Sequence, residues 1–209
     1  MWKFKNILDL FSKSHHHKLF LESNHGLERE CLRIDPKGHL SQNSHPKLLG
    51  SPLTNPIITT DFTEAQLELV TPVFKSETKA INYLKNIHLF VNKNLKNELL
   101  WPFSMPGLLP KDSKIPLAQY GNSHSGKMRT LYRLGLSYRY GRKIQTVSGI
   151  HYNYSFSEKI WDLLYKQFHH GPEGKTEKSE NFKFTKNLDD KTRFISESYL
   201  HLIRNFLKL

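Results

Sequence analysis

The sequence predicts an α+β fold, an antiparallel sheet flanked by helices. Three observations carry this. Segments with the two-residue alternation of half-buried strands fall at 27–34, 57–61, 65–70 and 144–156. Segments with helical spacing fall near 2–13, 76–99, 125–140, 158–168 and from 190 onward. The two kinds do not alternate in the regular strand–helix–strand order that a parallel sheet needs.

Each element has its own signal. In the first helix Phe4, Ile7, Leu8 and Phe11 share a face, while Lys3, Lys5, Asp9 and Lys13 interrupt any apolar run. No small-residue cleavage site follows, so the segment reads as an amphipathic helix packed on the domain rather than a targeting signal. A membrane-surface helix is the weaker alternative. His15 to His17 cannot share one face of a helix or strand, so they read as solvated loop, not metal ligands. Gly26 opens the first strand, and Asp35-Pro36-Lys37-Gly38 reads as a turn. His45 to Pro56 carries three prolines and reads as irregular. Thr71-Pro72 closes the strand that follows. Ser76 is placed to cap a helix running to about Leu99, with Ile81, Leu84, His88, Val91 and Leu95 on its buried face. Trp101 to Pro110 is loop. The next helix runs from Ser125 to Tyr140 and stops at Gly141. The strand Ile144–Phe156 precedes a short helix, Glu158–Phe168, and a polar loop, Gly171–Asn181. Asp189 or Asp190 caps the last helix, which carries Phe194, Leu202, Ile203 and Phe206. Its apolar residues run to Leu209 with no stop signal, so the chain is expected to end inside an element.

Composition narrows the function. The 209 residues carry 31 basic and 19 acidic side chains, a net charge of +12. With 37% hydrophobic residues the chain is long and apolar enough for a real core, and no apolar run spans a bilayer. The single cysteine, Cys31, cannot form an internal disulfide, which fits a reducing compartment and places the chain in the cytoplasm. A basic balance invites a nucleic-acid reading. The distribution opposes it: no acid lies between Asp112 and Glu158, while Glu28, Glu30, Asp61, Glu64 and Glu68 gather in the first third. One acidic pole and one basic stretch suit a metal–phosphate site better than a uniform basic footprint. No nucleic acid and no membrane are expected as partners.

The acidic residues fall on strands. Glu28 and Glu30 are two apart, so both point to one face, and Arg29 and Arg33 point to the other. Like charges side by side need a cation between them. Glu68 alternates with Leu67 and Leu69, and Asp61 ends the preceding strand. His151 shares a face with Val147, Gly149, Asn153 and Ser155. An antiparallel sheet gathers Glu28, Glu30, Asp61, Glu68 and His151 on one surface. Oxygen donors with one imidazole suit Mg²⁺, or Mn²⁺ in its place, rather than Zn²⁺. The plainer alternatives are exposed ion pairs and a hydrogen-bonded core histidine. Ser123, Ser125 and Ser148 lack a nucleophile elbow, and Gly121 to Lys127 lacks the spacing of a phosphate loop.

Longer motifs are more specific. Gly26-Leu27-Glu28-Arg29-Glu30-Cys31-Leu32-Arg33 resembles the opening motif of proteobacterial-type glutamate–cysteine ligase. Residues 58–62, 67–72, 101–106, 117–121, 130–136, 139–141 and 145–153 continue the resemblance in family order, with a short match at 203–205. The resemblance implies a glutamine-synthetase-like catalytic sheet that uses ATP to join the γ-carboxyl of glutamate to cysteine, the first step of glutathione synthesis. It implies metal binding by Glu28, Glu30, Asp61, Glu68 and His151. It implies substrate binding by Phe62, Tyr132, Arg133, Leu136 and Asn153. Family members are well over twice this length, so residues 1–209 are expected to be the N-terminal part of one catalytic domain. A separately encoded C-terminal half is the partner this implies. The isolated chain is expected to turn over little, and the alternative is a catalytically inactive binding or structural remnant.

Overall fold

The computed structural model describes residues 4–12, 15–169 and 188–207. In chain order the elements are helix α1 (Phe4–Ser12), strands β1 (Asn24–Ile34), β2 (Ile58–Thr60) and β3 (Gln66–Val70), helix α2 (Glu77–Asn94), strand β4 (Leu99–Leu100), helix α3 (His124–Tyr140), strand β5 (Ile150–Ser155), and helices α4 (Glu158–His169) and α5 (Asp190–Phe206). They fall into two units, Asn24–Tyr154, and Met1–Ser23 with Ser155–Leu209.

The sheet of the first unit is built on β1. Its path is β2-β3-β1-β4, and β5 also pairs with β1. The β1–β3, β1–β4 and β2–β3 pairs are antiparallel, as the alternating segments predict. Glu30 lies opposite Glu68 and Cys31 opposite Leu67, while Ile58 lies opposite Leu69 and Thr59 opposite Glu68. Paired residues project to the same side, so this register sorts the side chains cleanly. Cys31, Ile58, Leu67 and Leu69 close a core with Leu49 and with Ile87 and Val91 of α2. Each such side chain contributes roughly 1.5–3 kcal/mol by leaving water. Leu32, on the other side of β1, packs with Leu40, Ala65 and Ile115.

In this unit three expectations are corrected. Strand β1 begins at Asn24 rather than Leu27, because His25 exchanges both main-chain hydrogen bonds with Phe74, at 2.8 and 2.9 Å. Helix α2 ends at Asn94, not near Leu99. Leu95 is extended, Asn97 takes a left-handed conformation (φ 55°), and Leu99 and Leu100 then pair with Ile34 and Arg33. Its buried stripe is Ala80, Ile87 and Val91, with Leu84 and Leu95 packed against the core and Ile81 left 57% exposed. The segment from Ile144 forms a 3₁₀ turn to Thr146 before β5 starts at Ile150. Asp112 sets that turn: its carboxylate accepts from the amides of Arg142 and Lys143 at 2.8 and 2.9 Å. Helix α3 matches its expected span to within a residue. Ser123 caps it by accepting from Gly126 N, and Gly141 (φ 79°) ends it.

Arg33 is fully buried. Its guanidinium pairs with Glu98 at 2.6 Å and donates to the carbonyls of Asn43, Ser44 and Glu64. Ser41 and Asn43 also donate to Glu98. A buried charge is tolerated only with such partners, and these pin the 41–64 segment to β1. Burial, and then the nearby Arg33 charge, holds His45 down at about 4.

In the second unit Phe11, Ile160, Trp161 and Leu164 form a core, joined by Phe156, Phe194, Ile195 and Tyr199. Asp189 caps α5, accepting from Thr192 N at 3.0 Å. Leu202, Ile203 and Phe206 remain exposed on it. His15 to His17 lie in a 3₁₀ helix, His15–Glu22, instead of a loop, with His16 Nδ1 3.2 Å from the Leu10 carbonyl. The Gly171–Asn181 segment lies outside the described residues.

Candidate active site

Alternation along β1 turns Glu28 and Glu30 to the face opposite the α2 core. Strand β5 brings His151 and Asn153 to the same place. His151 Nδ1 lies 3.0 Å from Glu28 Oε2, and Asn153 Nδ2 donates to Glu28 Oε1 at 2.9 Å. His151 Nε2 is 4.0 Å from Glu30 Oε1. Glu30 is held further by Gly149, whose amide donates to Oε2 at 2.8 Å and whose carbonyl accepts from Glu30 N at 3.0 Å. A Cβ at Gly149 would stand 3.1 Å from His151 Nε2, so the glycine leaves the imidazole its room.

Glu68 adds a third carboxyl from β3, directly across from Glu30. Asp61 adds a fourth from the start of the β2–β3 connection. Electrostatics joins them. The Glu68 carboxyl is pushed up to about 7 by burial and by Asp61, Glu28 and Glu30, with Arg133 opposing. The Asp61 carboxyl is raised by burial and by Glu30, again against Arg133. The His151 imidazole is raised by its hydrogen bond to Glu28 and by Glu30, against a smaller opposing effect of burial. The imidazole thus stands between the two β1 carboxylates, bonded to Glu28 and 4.0 Å from Glu30.

The residues implied by resemblance are spread unequally around this cluster. Arg133, on α3, donates from Nε to the Asp61 carbonyl. Its guanidinium carbon lies 4.6 Å from the centroid of the Tyr120 ring. Asn153 orients Glu28. Tyr132 is 63% exposed, and Leu136, one turn later on α3, is half-buried. Phe62 is 2% exposed, with its amide on Gln66 Oε1 and its carbonyl on Ala118 N. Its ring is part of the core under the cluster rather than an open wall.

Two further residues support the cluster. Gln66 is buried and donates to Ser148 Oγ at 3.2 Å and to the Val147 carbonyl at 3.5 Å, tying β3 to the approach to β5. Its place beside Glu68 in the alternation was the available signal. Tyr120 donates to the Thr60 carbonyl at 2.6 Å; nothing local in the sequence marks that contact. Among the basic residues of the acid-free stretch, Arg142 is structural, donating to the Ile115 carbonyl at 2.7 Å.

Among the described residues, no three His, Cys, Asp or Glu side chains already stand at the spacing of a finished metal cage. The donor chemistry nevertheless fits a hard divalent cation: carboxylate oxygens dominate, and burial together with the neighbouring carboxylates holds Glu68 above its ordinary value. No helix among the described residues is long and apolar enough to cross a membrane.

Comparison with known proteins identifies the family. The glutamate–cysteine ligase family model matches residues 8–209. Glutamate–cysteine ligase of Clostridium acetobutylicum is 42% identical over 207 residues, covering 99% of this chain and 40% of the relative. A crystal structure of the Francisella tularensis glutamate–cysteine ligase in complex with AMP superposes with a TM-score of 0.68 at 41% identity, covering 70% of this chain and 29% of that one. A bifunctional glutathione synthetase from Pasteurella multocida gives 0.69 at 34% identity, covering 78% and 21%. The chain thus spans about two fifths of the clostridial relative and corresponds to the N-terminal third of full-length relatives.

Proposed function

The chain belongs to the glutamate–cysteine ligase family, and on that premise we propose that its sheet carries the cation-binding part of a site that joins glutamate to cysteine at the expense of ATP. The observation that carries this reading is the gathering of Glu28, Glu30, Glu68 and Asp61 around His151 on one sheet face. The reaction is an acyl transfer through phosphorylation. A γ-carboxylate oxygen of glutamate attacks the γ-phosphorus of ATP, and ADP leaves. The amino group of cysteine then attacks the acyl carbon, phosphate leaves, and the amine proton passes to solvent or base.

Glu28, Glu30, Asp61, Glu68 and His151 are the residues that would hold Mg²⁺, or Mn²⁺ in its place. The cation, when bound, neutralises phosphate charge. Asn153 fixes the rotamer of Glu28, and Gly149 fixes that of Glu30, so two of the carboxylates are preset before any ligand arrives. A cation held by Glu28 would take the place of the His151 hydrogen bond to that carboxylate. Tyr132, Arg133 and Leu136 lie along α3, a placement that supports a small-substrate pocket beside the cluster, with the buried Phe62 only backing it from the core. The AMP complex of the Francisella relative supports adenine-nucleotide binding. The residues form, on this reading, the N-terminal part of one catalytic domain working in the cytoplasm, with glutamate, cysteine and ATP as its small-molecule partners.

The test is titration of the purified chain with Mn²⁺, followed by electron paramagnetic resonance with and without ATP, and an assay for γ-glutamylcysteine. Binding that ATP tightens, and that Glu28→Gln weakens by about 10-fold or more, is the expected result. Mn²⁺ binding indifferent to Glu28→Gln and to Glu68→Gln, with no γ-glutamylcysteine formed, would overturn the reading.

A further inference from the structure

We propose that Tyr120 is a positioning residue for Asp61: with Arg133 it holds the main chain from which the Asp61 carboxyl joins the cluster. This rests on the cation-binding reading above. Tyr120 is 3% exposed, and its hydroxyl lies 2.6 Å from the Thr60 carbonyl and 3.0 Å from the Asp61 carbonyl. The Asp61 carbonyl also accepts from Arg133 Nε. The Asp61 amide donates to the Gln66 carbonyl at 3.0 Å. Both main-chain groups of Asp61 are therefore engaged, which leaves its side chain a fixed base.

The two donors support each other. The Arg133 guanidinium stacks 4.6 Å from the Tyr120 ring centroid, and that of Arg129 lies at 5.5 Å. A cation over an aromatic face is attracted by the ring's quadrupole, so the ring orients the guanidinium that shares its carbonyl. The strap carrying Tyr120 is in turn held at Ala118 by both of that residue's main-chain groups. Ala118 N donates to the Phe62 carbonyl at 3.0 Å, and Thr130 Oγ1 donates to the Ala118 carbonyl at 3.1 Å. A Cβ at Gly126 would fall 2.4 Å from the Tyr120 carbonyl oxygen, so α3 touches the strap as only glycine allows. Burial raises the Tyr120 phenol above its ordinary value, and the hydroxyl stays a donor at working pH.

Removing the hydroxyl leaves the Thr60 carbonyl without this donor in a buried place, and the turn into Asp61 relaxes to find another. The carboxyl then loses its preset direction, while the sheet keeps its core. Partners that orient a cation's ligands are worth about 10-fold or more in affinity.

A double-mutant cycle on Mn²⁺ affinity tests this, using the full chain and Tyr120→Phe, Asp61→Asn and the pair. Tyr120→Phe is expected to weaken Mn²⁺ binding about 10-fold with a circular-dichroism spectrum unchanged, and to have no further effect once Asp61 is Asn. Should Tyr120→Phe not fold, Arg133→Lys in the same cycle gives the same expected coupling, because it keeps the charge but removes the Nε–H aimed at that carbonyl and the planar guanidinium over the ring. An equal loss in both Asp61 backgrounds, or no loss at all while Glu28→Gln still abolishes binding, overturns the positioning role alone. No Mn²⁺ binding by the unsubstituted chain overturns the cation-binding reading and this inference with it.

Discussion

The two sides of the β1–β3 pair come from alternate residues of the same strands, yet they behave as opposite media. Cys31, Leu67 and Leu69 lie under α2 in a dry core, where burial pushes the Cys31 thiol up to about 12. Glu30 and Glu68, each next to one of these in the chain, lie with Glu28 in a half-wet cluster whose carboxyls repel one another. A two-residue period is enough to place a stabilising surface and a destabilising one within a single pleat. The first makes the second affordable: the core holds β1 and β3 in register, and register is what sets Glu30 against Glu68.

The largest expected loss comes from the dry side. Arg33→Ala leaves Glu98 buried without its ion pair, and three carbonyls without their donor. The cost is about 3–5 kcal/mol, read as a fall in the urea midpoint at constant slope. Leu67→Ala follows, at about 2–5 kcal/mol by cavity formation in a core with no exposed edge. If either variant unfolds like the unsubstituted chain, the core is not what holds the register.

Much of this division is legible in the residues themselves. Glu28 and Glu30 flank Arg29, Glu68 sits between two leucines, and His151 lies between Ile150 and Tyr152, so the face that each takes follows from period. The ends of α3 are equally readable, since Ser123 and Gly141 carry local capping chemistry. What is not legible depends on residues distant in the chain. The helical pattern of α2 runs past Asn94, and only the pairing of Leu99 and Leu100 with β1 stops it. The turn at Ile144–Thr146 answers to Asp112, about thirty residues earlier, through the amides of Arg142 and Lys143. Tyr120 and Phe62 are apolar enough to look like core or pocket alike, and only the path of the 118–121 strap decides where each ring goes.

On the half-wet side a substitution is expected to stabilise. Glu68 has a folded-state value of about 7, above its ordinary 4.5. Its contribution to stability is fully present below 4.5 and is lost as pH rises through 7. At pH 8 in a chelator, Glu68→Gln is expected to raise stability by about 1–2 kcal/mol after allowance for solvent screening. The gain should vanish near pH 4.5. A Glu68→Gln variant that is less stable than the parent at pH 8 would show that the carboxylate has a favourable partner there.

The smallest effect sharpens the comparison most, because it has the opposite sign in nearly the same range. His45 is held at about 4 by burial and by Arg33, below its ordinary 6.5. The unfolded chain therefore binds the proton first, and the contribution of His45 is present above 6.5 and lost as pH falls through 4. Between those values Glu68 makes the protein more stable as acid is added, and His45 makes it less so. Asp61 and His151, both raised, add slopes of their own, so the variants are read against the parent. Relative to it, Glu68→Gln should tilt stability downward toward acid and His45→Gln upward. The double variant should return close to the parent's slope. Chemical denaturation at several pH values, in chelator, reads all four proteins. Changes of slope of the same sign in the two single variants would mean that the dry and half-wet regions do not differ in the way their titrating groups indicate.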